Sequence, residues 1–194
     1  MIGISGVARA GKDTLAKCLK EIIEKEFDCE VEIVSLAKQL KSDLDKVISC
    51  NFNFLVHTDD TSEKNLIRPI LVAYGEAMKE KWGKDVWVKK LEKSLSDREE
   101  KKLYIVADVR FDFEAEYFQN KMNASVIHIT KIGHEAPANE VEAENDPLVK
   151  KVSNIVHAWP KYHPDQMELC KSHASILWQM IPDELKEKWK KTLI

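Results

Sequence analysis

Gly6-Val7-Ala8-Arg9-Ala10-Gly11-Lys12 is a GxxxxGK string, and its surroundings give it meaning. The apolar residues 1–5 lead into it, and behind it Leu15, Leu19, Ile22 and Ile23 recur at helical spacing over residues 13 to about 27. The string is therefore read as the turn between a strand and a helix. Glycines let such a turn curl until successive N–H groups point into one concavity, where they bind phosphate oxygens. The helix adds the partial positive charge of its N-terminus, and the Lys12 ammonium reaches the β- and γ-phosphates. Gly6, Val7, Ala8, Arg9, Ala10, Gly11, Lys12, Asp13 and Thr14 are the expected ATP-binding residues. The position after the lysine ordinarily carries Ser or Thr, whose hydroxyl binds Mg²⁺. Here it is Asp13, followed by Thr14. Asp13 takes the ion directly or through water, or Thr14 takes it; the alternative is that Asp13 is only a first-turn helix acid.

Downstream, Val31, Ile33 and Val34 predict a strand over residues 31–36. Helical patterns follow at 37–48, at 63–81 with the regular part starting near Pro69, and at 85–95 beyond the break at Gly83. Between them, residues 51–62 end in the helix-start signal Asp59-Asp60-Thr61-Ser62. The plainest strand is Leu103-Tyr104-Ile105-Val106-Ala107, ending at Asp108. A short helix at 113–120 and a strand at 125–130 come next. Residues 133–146 carry Glu135, Glu140, Glu142, Glu144 and Asp146 with no Lys or Arg, which reads as a mobile, solvated loop. Helical patterns resume at 147–156, 165–180 and 183–193, the last two starting near Pro164 and Pro182. Strands alternating with helices place the chain in the α/β class, with a mainly parallel sheet flanked by helices. At 194 residues one domain is expected, with a helical insertion at about 51–100 and a candidate lid loop at about 131–146.

Charge sets limits on partners. The 30 basic residues are outnumbered by 33 acidic ones, for a net −3, and only four are arginines: Arg9, Arg68, Arg98 and Arg110. A mildly acidic chain argues against a nucleic-acid polymer as partner, while a few well-placed cations suffice for a small anion. Cys18, Cys29, Cys50 and Cys170 are far apart and read as free thiols in a reducing compartment. The six histidines form no HExxH, which disfavours a metallohydrolase. No apolar run approaches the roughly 20 residues that span a bilayer, and the N-terminus lacks the basic region of a signal peptide. No membrane partner and a cytoplasmic location are expected.

Among phosphate-loop proteins, the absence of NKxD disfavours the switch GTPases, and the strand ending at Asp108 lacks the acidic pair of many oligomeric ATPases. A lone Asp there suits Mg²⁺ or a substrate group at the carboxyl edge of a sheet. Gly6–Thr14 resembles the GxxRSGKDT loop of the phage deoxynucleoside monophosphate kinases. Four further segments resemble that family in the same order. Ser35-Leu36-Ala37-Lys38-Gln39-Leu40-Lys41 is similar to FADPLK, and Arg68-Pro69-Ile70-Leu71-Val72-Ala73-Tyr74-Gly75 to RxxLQxYG. Gly83-Lys84-Asp85-Val86-Trp87-Val88 is similar to GxDxWV, and Asp108-Val109-Arg110-Phe111-Asp112-Phe113-Glu114 to DVRFxxE. The likeness departs at Glu76, where the family often has Thr, and at Lys79, where it has Arg; no Arg follows Arg110.

The resemblance implies a P-loop kinase fold that transfers the γ-phosphate of ATP to a deoxynucleoside 5′-monophosphate, with Mg²⁺ as cofactor. Lys12, Arg9 and Arg110 are the expected catalytic residues, with Lys12 on the ATP phosphates, Arg9 near the transferred group and Arg110 on the acceptor phosphate. Lys41, Arg68, Tyr74, Gly75, Trp87, Asp108, Arg110 and Glu114 are implied at the acceptor, and Asp13, Thr14 or Asp108 at the metal. A homodimer is a further expectation. Two other readings stand beside it: a P-loop kinase for another small phosphorylated acceptor, such as phosphomevalonate or dephospho-coenzyme A, and a non-catalytic nucleotide-binding module. Trp159, Trp178 and Trp189, in helical patterns, read as core or subunit-interface residues, and Arg98 as a solvated turn charge.

Overall fold

The computed structural model describes residues 1–52, 56–58, 60–97, 101–133, 137, 139–161 and 166–193, the side chain of Lys46 excepted. Arg98, Asp59, Glu135, Pro164 and Asp165 of the sequence reading lie outside them. The chain divides into two compact units, residues 1–34 with 98–194, and residues 35–97.

The first unit is built on a five-stranded, all-parallel sheet. Its strands are β1 (Ile2–Ser5), β2 (Val31–Val34), β3 (Leu103–Val109), β4 (Ser125–Lys131) and β5 (Ile155–Trp159), in the order β2-β3-β1-β4-β5. β1 lies at the centre and every one of its residues is buried, as a strand covered on both faces requires. It therefore delivers the glycine turn to the middle of the carboxyl edge, where adjacent β3 also ends.

Helix α1 (Lys12–Phe27) buries Leu15, Ala16, Cys18, Leu19 and Ile23 in the core of this unit. α5 (Asp112–Met122) and α6 (Glu140–Val152) follow β3 and β4, and α7 (Met167–Met180) and α8 (Asp183–Leu193) close the chain. Trp178 of α7 lies edge-on to Phe27 at 5.3 Å and stacks on Trp189 of α8 at 6.2 Å. Both indoles are satisfied, Trp178 Nε1 donating to Glu26 Oε2 and Trp189 Nε1 to the Asn123 carbonyl at 2.8 Å. These two tryptophans are core residues of the unit, as aromatic groups with a polar handle usually are.

The second unit holds α2 (Leu36–Phe52), α3 (Thr61–Trp82) and α4 (Val86–Ser96). Asp60 caps α3, its carboxylate accepting from the Ser62 and Glu63 amides at 2.8 and 3.0 Å. Gly83 ends it with φ 97°, its N–H donating to the Lys79 carbonyl. Ile48, Val56 and Ile67 form one small buried cluster in it, with Leu44, Ile70 and Leu71 packed against them, and α4 buries Val86, Trp87, Val88, Leu91 and Leu95.

Three readings of the sequence are corrected. α3 runs unbroken through Pro69 rather than becoming regular there, because a helix of 22 residues survives the loss of one interior N–H. Residues 140–146 are not loop: they are the first half of α6. Asn139 caps it by accepting from the Glu142 amide at 2.9 Å, and the acids of the first turn and lysines of the last suit the helix dipole. The third correction is β5. Residues 155–156 are strand, not the end of a helix, and Trp159 sits on that strand rather than on a helical pattern.

Candidate active site

The turn after β1 takes the backbone shape that its glycines permit. Gly6 has φ 133°, Arg9 63° and Gly11 104°. A side chain on Gly6 would place Cβ 2.3 Å from the Ile129 carbonyl oxygen, so glycine is required there by packing as well as by φ. Gly11 is the N-cap of α1, and Asp13 stands exposed in its first turn. Arg9, in the left-handed region that few residues other than glycine adopt, is exposed. Its carbonyl accepts from Lys131 Nζ at 3.4 Å.

Lys12 lies half-buried with its ammonium folded over the loop, donating to the Gly6 and Val7 carbonyls at 2.7 and 2.9 Å. Burial lowers its pKa, and the Arg110 guanidinium lowers it further; the carboxylates of Glu142, Asp13 and Asp108 oppose the shift. Lys12, Asp13, Asp108, Arg110 and Glu142 thus share one electrostatic neighbourhood. Two sheet neighbours explain the convergence, since β1 brings the lysine and β3 brings Asp108 and, directly beyond its end, Arg110. Asp108 is inside β3, which continues to Val109, rather than at its terminus.

Glu114 is buried and caps the turn that carries Arg110. Its carboxylate accepts from the Arg110 and Phe111 amides at 2.8 and 3.1 Å, half of a capping box for α5. Burial pushes its pKa up to about 7 against the pull of those two N–H groups. The carboxylate expected at the acceptor therefore has a structural use at the base of Arg110.

The remaining residues named from the resemblance, Lys41, Arg68, Tyr74, Gly75 and Trp87, belong to the second unit. Lys41 is half-buried on α2, and Arg68 is exposed on α3. Gly75 permits a close approach of two helices, because a Cβ there would meet Leu40 Cδ1 at 2.9 Å. The Tyr74 and Trp87 rings are 6.0 Å apart, with Tyr74 donating to Asp43 Oδ2 and Lys90 lying over the Trp87 ring at 5.2 Å. Trp87 is buried, and Glu76 and Lys79 pair with each other at 2.6 Å.

Two features of the loop's surroundings have no counterpart in the sequence reading. One is Trp159: a Cβ on Gly11 would lie 2.5 Å from its Nε1. The other is α6, whose Glu142 carboxylate accepts from the Ala8 amide at 2.7 Å, across 134 positions of sequence. One turn further along α6, Asp146 Oδ2 lies 3.7 Å from His128 Nε2, while His128 Nδ1 and the Ser5 hydroxyl are 3.0 Å apart. The hydroxyl donates to Nδ1 when the ring proton is on Nε2, facing Asp146. No short-range signal in the sequence marks these contacts.

Burial, then the charges of Lys150 and Lys12, holds the His128 pKa down to about 4. The unfolded chain binds this proton near pH 6.5 and the folded chain does not, so the neutral ring's stabilisation is complete above pH 6.5 and lost as pH falls toward 4. Glu114 has the opposite sign: its stabilisation is complete below about pH 4.5 and lost as pH rises through 7. The two slopes cancel in part between pH 4.5 and 6.5. Urea melts of wild type and His128→Gln at several pH values separate them: the stability gap is expected to shift by roughly 2–3 kcal/mol between pH 7 and 4. A pH-independent gap would refute the buried neutral ring.

The model of the phosphomevalonate kinase family matches residues 4–124, from β1 through α5. Among solved structures, a dephospho-CoA kinase from Campylobacter jejuni is similar, with 14% identity and a TM-score of 0.46, over 91% of this chain and 96% of its own. No curated protein matches the chain.

Proposed function

We propose that this chain, which belongs to the phosphomevalonate kinase family, passes the γ-phosphate of ATP to the phosphate of a deoxynucleoside 5′-monophosphate. Family membership makes it a P-loop phosphotransferase; the acceptor and the roles of individual residues are our reading. The observation that carries it is that the neighbouring parallel strands β1 and β3 deliver Lys12 and Arg110 to the same carboxyl edge of the sheet, where their like charges disfavour each other. A protein keeps two such cations together where polyanions meet, and a phosphoryl transfer between two phosphates is such a place.

In this reading the loop amides and Lys12 hold the β- and γ-phosphates. Arg9 flanks the transferred group, and Arg110 grips the acceptor phosphate with the planar fork that suits it. Glu114 fixes the backbone under Arg110. On the resemblance alone, Lys41, Arg68, Tyr74, Gly75 and Trp87 of the second unit are further candidates for acceptor binding. The chemistry asks for little covalent participation by protein groups; positioning and charge neutralisation carry it.

Mg²⁺ fits the donor set around Lys12, since Asp13, Thr14 and Asp108 are hard oxygen donors. Among the described residues no three His, Cys, Asp or Glu side chains converge on a metal position. The ion would therefore be held jointly with the ATP phosphates, neutralising their charge, with Asp13 or Thr14 and Asp108 completing its shell. Among the described residues no helix is long and apolar enough to cross a membrane.

The acceptor is tested by ADP release with dAMP, dGMP, dCMP, dTMP, their ribonucleotide forms and phosphomevalonate. The five motifs in order support a deoxynucleotide; the family match supports phosphomevalonate as a second reading. Turnover with phosphomevalonate alone would replace the first reading by the second, and no acceptor-dependent turnover would sink both. Arg110→Ala is expected to lower kcat/KM for the acceptor about a hundredfold, with ATP affinity within about threefold of wild type. Loss of ATP affinity alone would assign Arg110 to the other substrate.

A further inference from the structure

We propose that Glu142 is an internal competitor for the phosphate loop: its carboxylate occupies the Ala8 amide that a donor phosphate needs, and nucleotide binds only when it leaves. The inference rests on the loop being the ATP site and concerns how that site is regulated. The Glu142 Oε1 to Ala8 N distance of 2.7 Å is that of a charge-assisted hydrogen bond, to an amide in the turn where Gly6, Arg9 and Gly11 have positive φ. An anion at such a turn is what its geometry selects. Here the anion belongs to the protein.

Other contacts make the arrangement specific. Lys12 donates to the Gly6 and Val7 carbonyls of its own loop. The helix bearing Glu142 is fixed nearby: its Asp146 faces the buried His128, which is bonded to Ser5 of β1. At its far end, Gln119 of α5 donates to the Val152 carbonyl at 2.8 Å. α6 is therefore anchored beside the loop. Glu142 itself is only half-buried, so its side chain can rotate into solvent without unseating the helix. A carboxylate also cannot share the loop with a phosphate, since the two like charges would face each other in a partly desolvated place.

The exchange lowers apparent affinity by the fraction of time the loop is open. For a charge-assisted bond of this kind that fraction is about a tenth, so Glu142→Gln, which keeps shape and removes charge, is expected to bind ATP about tenfold more tightly. Inorganic tripolyphosphate, which has the phosphates without the base, is expected to gain by the same factor. Glu144→Gln, on the exposed side of α6, is the control and is expected to match wild type. The Ala8 amide resonance of ligand-free protein is expected to move in Glu142→Gln and not in Glu144→Gln.

Calorimetry with ATP and tripolyphosphate, with and without Mg²⁺, decides it. Unchanged affinity in Glu142→Gln would overturn the proposal alone. Weaker binding only in the presence of Mg²⁺ would also overturn it, by making Glu142 part of the metal shell. A wild-type protein that binds neither ATP nor tripolyphosphate would overturn the ATP-site reading as well, so the two failures are distinguishable.

Discussion

Replacing Lys12 by Ala is expected to reduce kcat about a thousandfold with the fold intact. The effect is large because the ammonium is a preorganised charge at the phosphates that carry the developing charge of transfer. Its structural role is smaller. The two bonds to Gly6 and Val7 bind the side chain to its own loop, and losing them costs about 1–2 kcal/mol. Part of that cost is offset because Lys12 is partly desolvated and repelled by Arg110. Lys12→Arg keeps the charge but replaces the single nitrogen that reaches both carbonyls by a larger planar head whose nitrogens are spread apart. It is expected to recover less than a tenth of the lost rate. Single-turnover rates with thermal melts check both variants. A Lys12→Ala enzyme within tenfold of wild type would remove Lys12 from the mechanism.

The strand–turn–helix of residues 2–27 was legible because its signals are local. Two glycines with four residues between them, an apolar run before and a 3.6-residue period behind are all visible within one stretch of chain. β3 and β4 were legible for the same reason, as apolar runs. α6 was not. Its acidic first half resembles a solvated segment and Pro147 resembles a start, yet the cap at Asn139 and the dipole favour helix from Glu140. β5 was hidden because it is an edge strand of only five residues, Ile155-Val156-His157-Ala158-Trp159, too short for its period to be told from the tail of the helical pattern before it. What touches the phosphate loop from α6 and β5 could not be read at all, because Glu142 and Trp159 meet residues more than 130 positions away. Glu114 shows the converse: a motif position can be recognised while its task, capping α5 beneath Arg110, stays invisible until its amide partners are known.

Gly11→Ala is expected to destabilise the protein by about 3 kcal/mol or more and to abolish measurable ATP binding. Two separate costs add. Gly11 has φ 104°, where a side chain is strained, by about 1–2 kcal/mol. Its Cβ would also stand 2.5 Å from Trp159 Nε1 and 2.8 Å from Trp159 Cδ1. That ring is fully buried in the core of the first unit, beside His173 at 6.1 Å, and has little room to retreat. The loop must give way instead, and with it the amides that hold phosphate. Gly133→Ala separates the two costs, since Gly133 has φ 73° and nothing within 4 Å of a Cβ; it is expected to lose only about 1 kcal/mol. Trp159→Leu in the Gly11→Ala background removes the clash and leaves the φ strain. The double variant is then expected to be about 1–3 kcal/mol more stable than the sum of the single effects predicts. Additive effects would show that Trp159 does not hold the loop in shape, and the glycine requirement would then be one of backbone conformation alone.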